Sequence, residues 1–535
     1  MALTFIGLAV IHTWPLASDL PHISRVDNAD TELNAWAVSW VAHRLPRDPL
    51  HLFDANIFFP DRHTLAYSEP LIPPALLGAP MRWAGASPVT TYNVLVLVGL
   101  VATAFGMYVL VFRLTGDPLA GVLAGCLLAF NSHTLTRLPH LQALHVQWLP
   151  LSLWALDRLF GGGGRRDALW LGLFCVLAAL TSGYLAVFVA VTLVVAILAR
   201  ADRWVQRDRL QLLSHLALAG VVALIGSGVG LWPYAVVDQG GPLRRSIEDV
   251  VMHSATLQDY LTTAGRFHYE IWSHRFYEAG RDALFPGITG LVLGVMALGV
   301  RKKGRAHTRV IVAVGLVGLL LSLGPATPLY GWLSAVFPPL RSIRAASRFG
   351  YLFLFAVAAL AGLGAANLRK RGDLGVGMRV VVIACIVLVN LEALRAPMSF
   401  VQFDGFSPLY RTIAETSDVE ALAEFPLWPP GSIARNGRYV LASTEHWKPL
   451  LNGYSGFVPS SYADASNRLS GFPAPESIEI LREIGISHIV VHPALYDPAR
   501  AAQVLAEIAN QSDLKFLAVD EKGSRLYRVR AQNGT

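Results

Sequence analysis

The stretch Asp27-Asn28-Ala29-Asp30-Thr31-Glu32 sets two carboxylates, Asp27 and Asp30, three residues apart. A carboxylate held beside a membrane surface can act as general base. It would take a proton from a sugar hydroxyl while the bilayer supplies the other substrate. The same spacing also fits a solvated acidic turn that caps a helix. Glu69, in Tyr67-Ser68-Glu69-Pro70, is a second acid farther along the same stretch, or an ordinary surface residue.

Basic and amide groups follow. His140, Gln142, His145 and Gln147 cluster between two apolar runs. Polar side chains at membrane depth avoid lipid, so they line a cavity or bind neighbouring helices together. Arg341, Arg344 and Arg348 recur at i, i+3 and i+7, which a helical turn would align on one face. Forked guanidinium donors grip phosphate at two points, and anchoring to lipid headgroups is the competing use. Late in the chain, Ser443–Pro449 and Asn452–Phe457 mix aromatic and amide groups that could stack on sugars or simply form turns. No GxSxG, Walker loop or strand-linked GxGxxG occurs, and no His spacing with nearby acids points to a metal.

The elements that must position these groups are mostly membrane helices. The chain has 535 residues, 53% hydrophobic and 15% charged, where a soluble domain carries about a quarter charged. Apolar runs near 2–18, 90–113, 117–133, 141–160, 166–181, 184–200, 210–235, 284–300, 309–324, 349–368 and 377–394 suggest eleven spans. A tight turn at Ser182-Gly183 divides the fifth from the sixth. The N-terminus lacks a charged n-region, so its helix is expected to be retained, with room for a start a few residues upstream.

With the N-terminus cytoplasmic, five short inner connections hold 17 basic residues against six acids. That satisfies the positive-inside rule and leaves the C-terminus outside. Arg341, Arg344 and Arg348 then break the trend on the outer side. The scattered basic residues exclude a nucleic-acid patch, and Cys126, Cys175 and Cys385, all in apolar runs, exclude a disulfide frame.

The expected fold is therefore a polytopic α-helical bundle over 1–395 and a small extracytoplasmic α/β domain over 396–535. The first outer loop, 19–85, includes a helix from Thr31 to Leu45, capped by Asp30 or Thr31. Its Leu33, Trp36, Trp40 and Val41 face would lie on the membrane surface. In the C-terminal domain, strands are expected at Glu420–Pro426 and His488–His492, helices at Pro475–Gly485 and Pro498–Ser512, and a closing hairpin at Leu514–Val519 and Ser524–Arg530.

Four segments carry a family resemblance: Asp30–Trp36, Leu138-Pro139-His140-Leu141-Gln142, Arg344–Phe349, and His446–Leu450 with Asn452–Gly456. With the bundle and its acidic first loop, they resemble GT-C glycosyltransferases, especially bacterial relatives of the dolichyl-phosphate-mannose–protein mannosyltransferases. The resemblance implies an inverting transfer of sugar from a polyprenyl-phosphate carrier to a lipid, glycan or protein acceptor, on the outer face of a bacterial inner membrane. It implies Asp30, with Asp27 second, as base, and Arg344 and Arg348 as holders of the carrier phosphate. The acids stand here as DNAD, unlike the family's DD, DE or DxD, so the base stays open between the two. No cofactor is implied, although some relatives use a divalent metal. A flippase of lipid-linked saccharide and a non-catalytic assembly protein are the alternative readings.

Overall fold

The computed structural model describes residues 1–204, 208–239, 245–277, 282–299, 305–371 and 375–530. The chain is mostly helical and divides into two compact units. One comprises Met1–Asp19 and Asn93–Ser399, the other Leu20–Tyr92 and Phe400–Thr535.

In the first unit a helix stands at each place where an apolar run was read as a span. Five are long and apolar enough to cross a membrane: Pro88–Thr115, Pro118–Thr136, Arg209–Val237, Arg305–Ser322 and Ala346–Arg369. The Arg209–Val237 helix turns Leu210, Leu224, Val229 and Trp232 outward, as a lipid-facing helix does. The turn at Ser182 is present, and the Ser182 hydroxyl accepts the Leu185 N–H to cap the Gly183–Ala199 helix.

At the basic-rich helix ends the acids are spoken for. Arg113 and His307 meet Asp157 at 3.2 and 3.0 Å, Arg309 meets Asp202 at 2.8 Å, and Arg369 meets Asp117 at 2.6 Å. Each pair joins neighbouring helices, so these charges fasten the bundle. Arg301, Lys302 and Lys303, counted with them, lie outside the described residues.

The runs at 2–18 and 284–300 are helical only over Ala2–His12 and Ile288–Leu298, and a third span departs further. The helix expected at 141–160 begins only at Trp148. Residues 137–147 run irregularly through a 3-10 turn at Leu141–Ala143. Irregular backbone at membrane depth must find internal partners. Thr103 supplies them: its hydroxyl donates to the Leu144 carbonyl (2.7 Å) and accepts the Val146 N–H (3.1 Å). The histidines and amides are thus carried on a loop clamped to the Pro88–Thr115 helix.

The second unit redraws the expected domain boundary. The first outer loop does not belong with the bundle; it packs with the C-terminal segment. Strand β1 (Ile23–Ser24) pairs antiparallel with β2 (Val401–Gln402). A four-stranded sheet follows, of β3 (Leu422–Phe425), β4 (His488–Val491), β5 (Leu514–Val519) and β6 (Arg525–Val529), in the order β3-β4-β6-β5. The β5–β6 hairpin and the Pro475–Ile484 and Pro498–Ala509 helices appear where expected. The β3–β4 pairing is parallel, and the crossover between them passes through the Pro475–Ile484 helix.

The helix expected to lie on the membrane spans Ala29–Arg44 and is a core element instead. Every residue from Leu33 to Ala42 is buried. The Ile72–Trp83 helix packs on one side and the Gly437–Ala442 helix on another. Trp36 and Trp40 donate their indole N–H groups to Asn56 Oδ1 (3.1 Å) and the Leu52 carbonyl (2.8 Å). The tryptophan face read as membrane-bound is spent inside the unit.

A buried amide clamp then shapes the loop after Leu451. Glu424 N–H donates to Asn452 Oδ1 (2.7 Å), and Asn452 Nδ2 donates back to the Glu424 carbonyl (2.9 Å). Asn436 Nδ2 holds the Gly453 carbonyl at 3.0 Å. The Phe58 ring lies flat against Gly453, where a Cβ would clash. Gly453→Ala should therefore lower stability by about 1–3 kcal/mol through overpacking. Thermal unfolding of the full chain in detergent measures this, and an unchanged midpoint would show that the ring does not press there.

Candidate functional site

In the second unit the acidic stretch opens a helix. Asn28, not Asp30 or Thr31, is the cap: its Oδ1 accepts the Asp30 N–H at 2.9 Å. The Tyr454 hydroxyl donates to the Asp30 Oδ1 at 2.9 Å. Tyr454 comes from the clamped loop, 424 residues away in sequence. Asp27 is exposed and paired with Arg25 at 3.0 Å. Of the two expected bases, Asp30 alone is held by a partner from the C-terminal segment. Glu69 is half-buried two residues past Tyr67, whose carbonyl accepts the Ser455 hydroxyl at 3.1 Å.

Glu32, which the sequence reading quoted but assigned nothing, is the most perturbed acid of the stretch. Burial pushes its carboxyl up to about 8, Arg438 opposes the rise and Asp27 adds to it. Gly437 makes room for it, since a Cβ there would stand 2.5 Å from Glu32 Oε2.

In the first unit, the irregular 137–147 loop, the start of the Gly183–Ala199 helix and the turn at Ala346–Phe349 border a small, partly open cleft. His133, Arg137, His140, Gln142, Tyr184 and Arg348 line it. The Arg348 guanidinium lies 4.4 Å over the Tyr184 ring, a stacking that holds its fork in place. The Tyr184 hydroxyl in turn accepts the Ala345 N–H at 3.0 Å, fixing the arginine turn. Arg137 pairs with Asp282, and His133 Nδ1 stands 3.3 Å from the same carboxylate. Burial alone would raise the Asp282 carboxyl. The His133 hydrogen bond and the Arg137 charge outweigh it and hold the group well below the usual range. Arg348 has no carboxylate partner among the described residues.

The three outer arginines do not share a face. Prolines 338 and 339 start one 3-10 turn that ends at Ser342, a second covers Ala346–Phe349, and Ile343–Ala345 between them is extended. Only Arg348 enters the cleft. Arg344 is exposed, and Arg341 spends its fork on the Ser334 (2.9 Å) and Ala335 (3.2 Å) carbonyls. His140 lines the cleft with Gln142, but His145 does not. It is fully buried, bonds the Leu95 carbonyl at 3.0 Å and fills the space left by Gly99. It joins helices. Arg137, His133, Asp282 and Tyr184 were missed, and Tyr454 was read only as part of the Asn452–Phe457 stretch. The signal for Arg137 was available, because it too is a basic residue in an expected outer connection. Among the described residues no group of three or more His, Cys, Asp or Glu side chains could hold a metal ion.

With this geometry in view, the comparisons can be weighed. A family model described as a domain of unknown function, DUF6311, matches residues 47–391. The chain belongs to the DUF6311 family. No curated protein matches the sequence. Among solved structures, the arabinofuranosyltransferase AftD from Mycobacteria superposes with a TM-score of 0.64 at 18% identity, covering 100% of this chain and 40% of AftD. The DUF6311 chain thus spans two fifths of that protein. At such identity the likeness is one of fold alone. Two further structures match at a TM-score of 0.48. The oligosaccharyltransferase AglB from Archaeoglobus fulgidus, in complex with an inhibitory peptide and a dolichol-phosphate, is 12% identical and covers 100% of this chain and 74% of its own. ArnT from Cupriavidus metallidurans, bound to undecaprenyl phosphate, is 10% identical, with 99% and 98% covered.

The Glu32 carboxyl gives a direct test of this geometry. The folded chain keeps the Glu32 proton to about pH 8, whereas the unfolded chain loses it near about 4.3. The folded state binds more protons within that window, so stability falls as pH rises through it. Glu32→Gln removes this dependence. Relative to wild type, the variant's unfolding midpoint should gain from about pH 5 to about pH 8. Parallel midpoints at both ends would contradict the buried, protonated glutamate.

Proposed function

We propose that this protein is an inverting membrane glycosyltransferase that moves a sugar from a polyprenyl-phosphate carrier to an acceptor outside the cytoplasm. The observation that carries the reading is the cleft. An arginine fork fixed by stacking, beside His140 and Gln142, sits among the apolar Leu185, Phe188 and Val146. Such walls suit a phosphate joined to a prenyl chain, and the amide suits a hydroxyl-bearing sugar. The AftD-like fold supports the transferase class.

In the proposed reaction Asp30 accepts the proton of the acceptor hydroxyl. The hydroxyl oxygen attacks the anomeric carbon as the bond from that carbon to the carrier phosphate oxygen breaks. The phosphate leaves with the bonding electrons, and the Arg348 guanidinium neutralises the charge that develops on it. One displacement inverts the anomeric centre. Tyr454 orients Asp30, while Asp27 serves its ion pair with Arg25. The orientation that goes with this reading has eleven spans, the N-terminus inside and the 400–535 segment on the periplasmic side of a bacterial inner membrane.

Purified full-length protein incubated with a panel of polyprenyl-phosphate sugars should release carrier phosphate in step with glycosylated acceptor. Asp30→Asn should slow this by about 10²–10⁴-fold while leaving insertion and folding intact. Wild-type transfer by that variant would reject Asp30 as the base. Tyr454→Phe removes the hydrogen bond that orients Asp30 and should slow transfer, and wild-type transfer by that variant would leave Tyr454 without a role.

A further inference from the structure

We infer that the second unit carries a binding site for an anionic saccharide, built on the Trp447 indole and a surplus of positive charge around His43. Trp447 holds φ at 55°, in the left-handed region that a bulky side chain occupies only where its surroundings impose it. Three hydrogen bonds do so here. The Trp447 N–H donates to the Ser443 carbonyl (2.8 Å), the Lys448 N–H to His446 Nδ1 (2.9 Å), and Asn56 Nδ2 to the Lys448 carbonyl (3.3 Å). The turn sets the indole against the His43 ring, with centroids 4.3 Å apart and planes inclined by 20°. Both residues are half-buried.

The charge around these rings exceeds what the neighbouring acids balance. Burial, and after it the charges of Arg47, Arg44 and Arg82, push the His43 pKa down to about 4, so three guanidinium groups act on one neutral imidazole. Lys448, next to Trp447, is a fourth cation. Against these four stand two acids: Asp48, paired with Arg44 at 2.7 Å, and exposed Glu445, which acts on Arg82. Arg47 gives one nitrogen to the His43 carbonyl (2.7 Å), and neither it nor Lys448 pairs with an acid among the described residues. The Arg44 Nε is buried without a partner. A guanidinium N–H left open in this way is costly, and an incoming oxyanion satisfies it. A flat aromatic pair beside forked donors suits a sugar ring that carries phosphate or carboxylate, stacked through its C–H face and held by its charge. A neutral sugar would leave the arginines unused, and a bare headgroup phosphate would leave the rings unused. None of these residues enters the transfer step, so the site stands apart from that reading.

Calorimetric titration of the full-length protein in detergent with glucose 6-phosphate, glucose and glycerol 3-phosphate tests the site. Glucose 6-phosphate should bind about tenfold or more tighter than either of the others, and added salt should weaken it. Arg47→Ala, at an exposed position, and Trp447→Ala should each weaken that binding by about tenfold. Thermal unfolding shows whether both variants fold, and Lys448→Ala replaces Trp447→Ala if the latter does not. Glucose binding as tightly as glucose 6-phosphate, or no binding of the phosphate sugar, overturns the inference. Undiminished binding by the variants overturns it too. Glycerol 3-phosphate binding as tightly as glucose 6-phosphate would mark a lipid-headgroup site and overturn the saccharide. Binding lost in Arg348→Ala but kept in Arg47→Ala would put the ligand in the first unit's cleft, which also overturns it.

Discussion

The first unit's cleft depends on one buried carboxylate. Asp282 is 6% exposed, and a carboxylate in that position must be neutralised or it would not remain charged. Arg137, His133 and Ser347 meet it from two separate stretches of the chain. Its pull therefore fixes the 137–147 loop against the turn at Ala346–Phe349. It also uses up the charge of Arg137. What is left to attract an anion is Arg348, held by a tyrosine ring rather than by an acid. A buried acid that consumes one arginine and so sharpens the role of another is the logic of the site.

Irregular backbone carries that logic. A helix through 137–147 would turn its polar side chains around the full circle, some of them toward lipid. The loop instead sends His140 and Gln142 into the cleft and His145 against the Pro88–Thr115 helix, and the Thr103 hydroxyl satisfies the backbone that is freed. The second unit uses the same device. The Asn452 amide replaces strand pairing beside Glu424 and so aims Tyr454 at Asp30.

The helices were legible because membrane runs are long, continuous and broken by clear punctuation such as Ser182. The β5–β6 hairpin and the helix ending at Gly485 were legible through local alternation and a glycine in the left-handed region. Long-range partnership was not. Nothing local to residues 20–92 announces that they pack with residues 400–535. The Trp36 and Trp40 stripe reads the same whether it meets lipid or Asn56 and Leu52. The arginine spacing was regular, but the extended residues Ile343–Ala345 split it, so one of the three reaches the cleft.

The claim on which the functional account rests is that the cleft binds a lipid-linked phosphate through Arg348. Titration of the full-length protein in detergent with a short-chain polyprenyl monophosphate, and with the matching alcohol, measures it directly. Wild type should prefer the phosphate, and Arg348→Ala should weaken phosphate binding by about tenfold or more, the worth of a charged hydrogen bond, while leaving the alcohol unchanged. Equal binding of phosphate and alcohol by wild type, or undiminished phosphate binding by the variant, would contradict it.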